Sequence, residues 1–424
     1  MFWLADYTSL FCSCLTPRQT AIMAAMTPFS LYLHIPFCRR RCTYCDFNTY
    51  AGLESLIPAY VQALCCEIRW VAALAGERLP VHTIFFGGGT PSLLPAGDVA
   101  AILEAIHQAF DCAEDLEATL EANPGTVSPG YLRDLRGMGV NRLSLGMQSA
   151  QAEELILLGR QHQLEEVAQA VRWARQAEIE NLNLDLIFGL PGQSLGGWQG
   201  TLAMALSLQP DHLSLYALTL EAGTPLAQWV DRGLAPEPDG DLAADMYEMA
   251  SERLERAGFL AYEISNWARL HPHLGAMTCR HNLQYWRSLP YLGFGAGAHG
   301  FAGGVRTVNI ASPAGYIQAM AADPMAAGGG QPAFPASPAA EQATRLTPET
   351  MMSEYMLMGL RLAEEGVSGE DFERRFGVSL AERYGQVIEP LARLGLLEWL
   401  DGGGRLRLSR RGRLLGNVVF RDFV

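Results

Sequence analysis

Six short apolar segments, each followed by a helical pattern, run through the chain between Phe29 and about residue 221. This alternation constrains the fold more than any other feature, because strands and helices that alternate with short connections form a parallel sheet covered by helices. Six such units in about 190 residues are too few for a complete eight-unit barrel of about 250 residues. The predicted fold class is therefore α/β, an incomplete (β/α)6 barrel whose strands begin at Ser30, Val81, Ala118, Arg142, Leu182 and His212.

Polar or glycine-rich sequence stands at the carboxyl end of each predicted strand. The six exits carry, in order, CRRRCTYC, GGGTPS, Glu121 with Asn123, Gln148, Asp185 before GLPG, and Thr219 with Glu221. In parallel α/β folds the chemistry sits at the carboxyl ends of the strands, which meet at one edge of the sheet. The six exits therefore predict a single large site.

The rest of the chain divides into an extension, a linker and a second domain. Residues 1–28 are expected to be a disordered N-terminal extension, or the product of an upstream start codon. Residues 29–310 hold the barrel and its continuation, and residues 311–346 are rich in Ala, Gly and Pro, which predicts a linker. Residues 347–424 show three helical patterns, a hairpin at LEWLDGGGRLRLS and a last helix, an order typical of a small winged-helix-like α+β domain.

Charge and cysteine content exclude several classes of protein. The chain has 31 Lys and Arg against 45 Asp and Glu, a net charge of −14, which argues against a general nucleic-acid binder. No apolar run reaches about 18 residues, so no membrane span is expected. Nine cysteines, an odd number in a long chain without a secretory signal, predict free thiols and a cytoplasmic location rather than a disulfide framework.

Three of the nine cysteines, Cys38, Cys42 and Cys45, follow the spacing C-x3-C-x2-C directly after the first predicted strand. Three thiolates from one loop can bind three corners of a cubane 4Fe–4S cluster and leave its fourth iron free to chelate a small molecule. Zinc is the alternative, but a structural zinc site closes with four ligands, and no fourth local ligand is evident unless His34 joins. The position beside a glycine-rich exit favours the cluster.

This arrangement resembles the radical SAM superfamily, in which three cysteines hold a 4Fe–4S cluster and S-adenosylmethionine (SAM) chelates the fourth iron. Tyr44 matches the aromatic residue that precedes the last cysteine, and residues 87–91 (GGGTP) match the glycine-rich motif whose backbone receives the methionine amino group. Carboxylates suit ribose hydroxyls or an ammonium group, and an arginine suits the methionine carboxylate. The resemblance implies SAM contacts from Tyr32, Gly88, Gly89, Thr90, Glu121, Gln148, Arg160, Asp185 and Thr219.

The resemblance narrows to the branch that contains oxygen-independent coproporphyrinogen dehydrogenase and the HemW-type haem chaperones. It runs from about Leu31 to the C-terminus and rests on LYLHIPFCRRRCTYCDF, FFGGGTPSLL, LEANPGTV, NRLSLGMQS, LGRQH, NLDLIFGLPGQ and RHNLQYW. The dehydrogenase pattern has a further cysteine two residues after the third, where this chain has Phe47. Residues 281–286 match the HNxxYW motif associated with haem binding in HemW-type proteins.

The motif offers the kinds of group that haem needs. A neutral imidazole such as that of His281 suits haem iron. Tyr285 shares a helical face with His281, and Trp286 supplies flat apolar area; Asn282 completes the motif. The alternative is a buried core histidine beside ordinary packing aromatics.

Other soft or imidazole donors lie nearby in the sequence. Cys279 is an alternative ligand, whereas His271 and His273 flank a proline and are expected in a loop. His299, within GAGAHG, is expected to cap a turn.

The sequence thus predicts a haem chaperone that carries a 4Fe–4S cluster and SAM and passes haem to an acceptor protein, a membrane-bound acceptor included. The alternative is an oxygen-independent coproporphyrinogen III dehydrogenase, a radical SAM enzyme of oxidative decarboxylation in porphyrin biosynthesis, so enzymatic activity stays open. A third class, an iron–sulfur regulator of transcription, is disfavoured because residues 381–394 mix acids and bases. An acid-free arginine run could meet phosphate, an anionic membrane surface or porphyrin propionates, and comprises Arg405, Arg407, Arg410, Arg411 and Arg413.

Overall fold

The computed structural model describes residues 27–321 and 332–424. The strands are β1 (Phe29–Ile35), β2 (Phe37–Cys38), β3 (Tyr50–Ala51), β4 (Pro80–Gly88), β5 (Asp111–Ala122), β6 (Arg142–Gln148), β7 (Asn181–Phe188), β8 (His212–Ala217), β9 (Phe259–Glu263), β10 (Asn266–His271), β11 (Gly275–Ala276), β12 (Tyr291–Phe294), β13 (His299–Ala302), β14 (Val305–Asn309), β15 (Ala340–Arg345), β16 (Val367–Ser368), β17 (Leu397–Leu400) and β18 (Arg405–Leu408).

The helices alternate with these strands in the first half of the chain. They are α1 (Ile57–Ala75), α2 (Ala96–Ala109), α3 (Pro129–Gly137), α4 (Ala152–Leu157), α5 (Leu164–Gln176), α6 (Leu195–Ser207), α7 (Pro225–Asp231), α8 (Gly240–Arg256), α9 (Arg280–Trp286), α10 (Pro313–Ala321), α11 (Pro348–Gly359), α12 (Gly369–Phe376), α13 (Leu380–Arg393), α14 (Arg410–Leu414) and α15 (Gly416–Arg421).

The predicted α/β fold is confirmed: the six expected strands are β1, β4, β5, β6, β7 and β8, and they pair in parallel in that order. The barrel is not closed. Beyond β1 the sheet continues through β12, β13, β14 and β15, and beyond β8 it continues through β10, which pairs with β9 and β11. All seven residues of β6 are buried, because helices cover one face of the sheet and the barrel interior covers the other.

Helix α1 is the core helix that covers β1 and β12. By length and composition the segment Glu54–Ala75 could cross a membrane, but half of its apolar window is buried inside this protein. Its buried face carries Tyr60, Leu64 and Ile68 at helical spacing, which is the pattern of a helix packed on a sheet.

A buried carboxylate on α1 joins the helix to the sheet extension. Glu67 accepts hydrogen bonds from the Gly295 backbone at 2.8 Å and from the side chains of Asn309, Tyr316 and Ser337 at 2.7 Å each. Four donors around one carboxylate satisfy it in a place that water does not reach.

Segment 311–346, predicted to be a linker, instead contributes regular structure within its described part. Helix α10 packs against α1, and β15 adds an antiparallel edge strand to β14. Five of the six residues of β15 are exposed, so its pairing depends on backbone hydrogen bonds and gives no apolar signal in the sequence. Residues 322–331, and residues 1–26 of the expected N-terminal extension, lie outside the described part of the chain.

The C-terminal domain has a core of its own, centred on Met356, Phe372 and Leu406. Its sheet has the order β16-β18-β17, and the hairpin β17–β18 follows three helices, as the winged-helix-like pattern predicted. Two short helices, α14 and α15, stand where one was expected. Helix α11 packs beside α9, which places this domain against the continuation of the barrel.

Candidate functional site

The carboxyl ends of the parallel strands surround a cavity of about 410 Å³, here called the cysteine cavity. Every predicted exit contributes to its wall. The predicted site residues that line it are Cys38, Cys42, Cys45, Tyr44, Gly88, Gly89, Thr90, Glu121, Gln148, Arg160, Asp185 and Thr219. The structure therefore brings together residues that are up to 181 positions apart in the sequence, from Cys38 to Thr219.

Each of the three thiols in the cavity is free and has a polar neighbour. Thr90 donates to the Cys38 sulfur at 3.5 Å, and Arg160 donates to the Cys42 sulfur at 3.4 Å. Burial raises the pKa values of Cys38 and Cys45, so a bound cation is needed to hold them as thiolates at neutral pH.

The donor set fits an iron–sulfur cluster better than zinc. Within residues 27–321 and 332–424, no three His, Cys, Asp or Glu side chains converge as ligands of a single ion would. In a cluster each thiolate binds its own iron, so three thiols around a shared cavity suffice. His34, the candidate fourth zinc ligand, uses both ring nitrogens elsewhere, with Tyr32 at 3.1 Å and the Asn48 carbonyl at 2.9 Å.

The opposite wall of the cysteine cavity is acidic. Glu121 accepts from the Gly88 backbone at 3.1 Å, and Asp185 accepts from Ser144 at 2.9 Å and Asn183 at 2.8 Å. Burial, followed by the nearby Asp185 charge, raises the pKa of Glu121 to about 8. A cationic ligand would stabilise the charged forms of both carboxyl groups, so this wall favours a cation.

Arg160 supplies the positive charge of the cavity. Besides Cys42, it donates to the Gly146 carbonyl at 2.8 Å and to the Asn123 side chain. An arginine held by three neighbours in a cavity wall is placed to pair with a carboxylate. The cavity thus offers a cation for a carboxylate and carboxylates for a cation, the two charges of an amino-acid group.

The glycine-rich exit lies tightly on the end of β1. Gly88 has φ 112°, and a Cβ there would lie 2.6 Å from the His34 ring. The next residues donate backbone hydrogen bonds to Ile35 and Phe37 at 2.8 Å. Only glycine fits this close approach, which fixes the base of the cysteine loop against β4.

Tyr32 does not line the cysteine cavity. It lines a smaller cavity of about 180 Å³ inside the barrel, here called the inner cavity. Glu121, Ser144, Asp185 and Tyr216 border both spaces. Of the nine positions for which the resemblance implied SAM contacts, Tyr32 is therefore the one that does not line the cysteine cavity, and it also borders a third, larger cavity.

His281 is buried in the same inner cavity, and both of its ring nitrogens are engaged. Nδ1 lies 2.8 Å from the Thr83 hydroxyl, and Nε2 lies 2.8 Å from the Tyr285 hydroxyl. Burial lowers its pKa to about 3, so the ring is neutral. A role as iron ligand would require one of these hydrogen bonds to break, and the prediction that His281 binds haem iron stays a prediction.

The remaining candidates of the haem motif separate into two groups. Asn282 lines the inner cavity with His281, whereas Tyr285 also borders a third cavity, together with Trp286. Cys279, the alternative soft ligand, is fully buried, with its sulfur 3.7 Å from the Glu117 carboxylate. Burial raises the Cys279 pKa to about 12, so this thiol stays protonated.

The third cavity, here called the apolar cavity, measures about 820 Å³ and lies between the sheet extension and the C-terminal domain. Its volume is within the 300–1,000 Å³ typical of pockets for ligands of drug or cofactor size. Sequence reasoning missed most of this wall, because β12–β14 and helices α11 and α12 assemble it from distant segments. The residues it missed include Tyr291, His299, Phe301, Arg306, Met351, Tyr355, Met358, Arg375 and Phe376.

His299 was expected to cap a turn, but the structure places it in a strand. It begins strand β13, and its side chain lines the apolar cavity. Its glycine-rich surroundings, GAGAHG, were the one sequence signal that a backbone approaches closely here.

The arginine run of the C-terminal hairpin is largely neutralised. Arg407 pairs with Glu398 at 2.8 Å, Arg413 with Glu364 at 3.9 Å, Arg405 with Asp401 at 3.9 Å and Arg410 with Glu255 at 4.0 Å. Arg411 makes a backbone contact to Leu394 at 3.4 Å. The run that is free of acids in the sequence therefore has acidic side chains beside four of its five arginines in the structure.

Two family models match the chain. The model of the radical SAM superfamily matches residues 32–205, and the model of the HemN C-terminal domain matches residues 346–415. Together they cover the parallel strands as far as α6 and most of the C-terminal domain.

Curated relatives extend this similarity along most of the chain. The haem chaperone HemW of Bacillus subtilis (strain 168) is 37% identical over 396 residues, which cover 93% of this chain and 99% of the relative. The haem chaperone HemW of Mycobacterium tuberculosis is 38% identical over 400 residues, which cover 94% of this chain and 95% of the relative. The cysteine cavity and the apolar cavity both lie within such a span.

Among solved structures, coproporphyrinogen III oxidase (HemN) from Escherichia coli is similar with a TM-score of 0.77 and 24% sequence identity. The match covers 93% of this chain and 90% of that chain. At this identity the likeness supports the fold, including the attached C-terminal domain, and leaves the reaction open.

Proposed function

This chain belongs to the HemW family of radical SAM proteins, and we propose that it binds haem and passes it to an acceptor protein while it carries a 4Fe–4S cluster and SAM. Haem is the cargo in this proposal, and the acceptor is a haem protein. The relatives support the cargo through their names as haem chaperones. The separation of the cavities supports a haem site apart from the cofactor site.

The observation that carries the proposal is the separation of two cavities. Among the described residues, none lines both the cysteine cavity and the apolar cavity, and the inner cavity with Tyr32 and Tyr285 lies between them. A radical formed on SAM reacts only with a substrate in direct contact, at about 3–3.5 Å between reacting atoms. A tetrapyrrole in the apolar cavity lies outside that contact, which supports binding rather than decarboxylation.

The cysteine cavity has the residues that the cofactors need. Cys38, Cys42 and Cys45 would hold the cluster, which supplies an open iron that chelates SAM when both are bound. Arg160 is placed for the methionine carboxylate, and Asp185 and Glu121 are placed for the ammonium group or the ribose hydroxyls. All three side chains are partly buried, and a charged hydrogen bond is stronger in such surroundings than in water.

Coproporphyrinogen III dehydrogenase is the competing function. Its cysteine pattern would place a fourth thiol where this chain has Phe47, whose side chain is 65% exposed beside the cysteine loop. An exposed phenylalanine supplies no ligand, which supports the chaperone over the enzyme. The experiment below measures both activities on one preparation.

The test uses the full chain, purified and reconstituted without oxygen. Hemin is titrated and followed by the shift of its Soret band, and coproporphyrinogen III is supplied with SAM and a reductant while vinyl products are measured. We expect a saturable Soret shift with one hemin per chain and no product above background. Conversion at a catalytic rate, or the absence of a saturable hemin complex, would overturn the proposal.

Cysteine variants test the cluster on the same preparation. We expect Cys42→Ala to lose the cluster's absorbance and bound iron, because only two of the three thiols remain. Cys66→Ala is the matched control, since Cys66 is exposed on α1 and lies outside the cavity wall. A full complement of iron in Cys42→Ala would contradict the ligand assignment.

A further inference from the structure

We propose that His299 binds the iron of haem in the apolar cavity, and that Arg375 receives its propionates. This assignment rests on the proposed haem-binding function and adds a ligand outside the haem motif. It also makes the C-terminal domain part of the haem site.

His299 is the available imidazole at this wall. Its side chain is exposed to the cavity, and it makes no side-chain hydrogen bond to another described residue. His34 also borders the cavity, but its ring nitrogens are engaged by Tyr32 and the Asn48 carbonyl. His281 lies in the inner cavity instead. Iron binds a neutral imidazole with a free lone pair, and His299 meets that need.

The backbone beneath His299 is rigid. Strand β13 pairs with β14, where His299 stands opposite Val308. On the other side, a Cβ on Gly293 would come within 1.9 Å of the His299 carbonyl oxygen, so β12 and β13 pack too closely for any side chain there. A ligand on a closely packed strand holds its position better than one on a loop.

Arg375 supplies a positive charge at the cavity wall, which matches the negative charge of a propionate. Its guanidinium donates to the Ser288 carbonyl at 3.1 Å and pairs with Asp371 at 2.7 Å, while it lies 5.0 Å above the Tyr355 ring. A guanidinium has five N–H donors, so these contacts leave donors for a propionate. Arg306, the other arginine of the wall, lies on β14 and pairs with Glu354 of α11 at 2.6 Å.

The remaining wall suits a flat apolar ring. Tyr291 and Phe301 come from the sheet, Met351 and Met358 from α11, and Phe376 from α12. Aromatic rings and flexible thioethers adapt to a planar macrocycle. Both domains supply this surface, so neither alone completes the cavity.

The experiment compares hemin with protoporphyrin IX, which has the same ring and propionates without iron. We expect His299→Ala to lower hemin affinity at least about tenfold and to change the Soret position, while its affinity for protoporphyrin IX stays at the wild-type value. Added imidazole should restore the Soret position of this variant. Met358→Trp should weaken both ligands by narrowing the cavity. His273→Ala, at an exposed loop histidine, is the matched control.

Each other outcome decides against a part of the assignment. Loss of the hemin spectrum in His281→Ala with retention in His299→Ala would assign the iron to the haem motif and overturn the proposal. Unchanged protoporphyrin IX binding in Met358→Trp would place the ring outside the apolar cavity. If the wild type binds neither ligand, the proposed function itself fails. Circular dichroism and the cluster absorbance show whether each variant is folded.

Discussion

Asp185 holds its place through two hydrogen bonds, and this determines what its removal should do. Ser144 and Asn183 donate to it at 2.9 and 2.8 Å within the wall of the cysteine cavity. We expect Asp185→Ala to weaken SAM binding by about 1–3 kcal/mol, or roughly 10- to 100-fold, because hydroxyls of the ligand would lose their acceptor. Equilibrium dialysis with labelled SAM and the paramagnetic resonance of the reduced cluster both report this.

The matched control for this prediction is Asp134→Asn, an exposed aspartate on α3. It changes the same charge far from the cavity. Equal SAM affinity in Asp185→Ala and the control would exclude Asp185 from the site.

Glu121 gives the unliganded protein a pH dependence of defined sign. Its pKa is raised to about 8 by burial first and by Asp185 second. Between the usual glutamate pKa near 4.3 and this value, the folded state binds more protons than the unfolded state, so stability falls as pH rises and levels off above about pH 8. Glu121→Gln carries no such charge and should unfold at a higher temperature than the wild type, by a margin that grows from pH 5 to pH 8.

Thermal unfolding followed by circular dichroism at several pH values checks this sign. Saturating SAM should shrink the margin in the wild type, since a bound cation favours the ionised carboxylate. A margin that is constant across the pH range would show that Glu121 does not titrate in the folded protein.

At the scale of elements, Glu67 shows how one side chain fastens a helix to a sheet. Glu67→Ala would leave four buried donors without their acceptor, and we expect it to destabilise the protein by more than about 3 kcal/mol. Glu67→Gln keeps one acceptor oxygen and should cost less. The midpoint of urea unfolding, followed by fluorescence, ranks the two variants.

Glu104→Ala, on the exposed face of α2, is the control for helix propensity. Similar midpoints for Glu67→Ala and this control would mean that the donors find water instead. In that case the sheet extension would not depend on α1.

Local sequence patterns were sufficient to predict those strands whose residues are mostly buried. The apolar runs of β6 and β7 predicted those strands, and the polar exits predicted the cysteine cavity, because parallel strands bring their carboxyl ends together. The edge strand β15 gave no such signal, since its partner supplies only backbone hydrogen bonds.

The sequence pattern could not predict the surroundings of side chains that contact elements distant in the chain. The sequence correctly predicted Tyr32 within strand β1. The inner cavity that it lines is completed by residues of α9, from the far end of the barrel domain. His299 and Arg375 meet at one cavity only because the C-terminal domain folds back onto β13. No spacing in the chain records that contact.

At the scale of the whole molecule, the C-terminal domain closes the apolar cavity over the sheet extension. The two parts are joined at the cavity by Arg306 on β14 and Glu354 on α11, whose charged groups lie 2.6 Å apart. A second ion pair also joins the two parts, with 2.5 Å between the charged groups of Arg287 and Glu365. Neither of these residues lines the apolar cavity. The ion pair at the cavity wall favours the arrangement in which the two parts enclose the cavity.

We therefore expect Arg306→Glu and Glu354→Arg, each alone, to weaken hemin and protoporphyrin IX alike, by roughly fivefold or about 1 kcal/mol, because like charges then face each other across the cavity. The double variant restores opposite charges and should recover most of the lost affinity, with a faster release of hemin remaining as the signature of imperfect geometry. Swapping Arg287 with Glu365 is the control, since it alters domain contact without touching the wall. Stopped-flow transfer of hemin to apomyoglobin measures the release rate, and recovery in the double variant distinguishes closure from a direct contact between Arg306 and the ligand, which the swap would abolish.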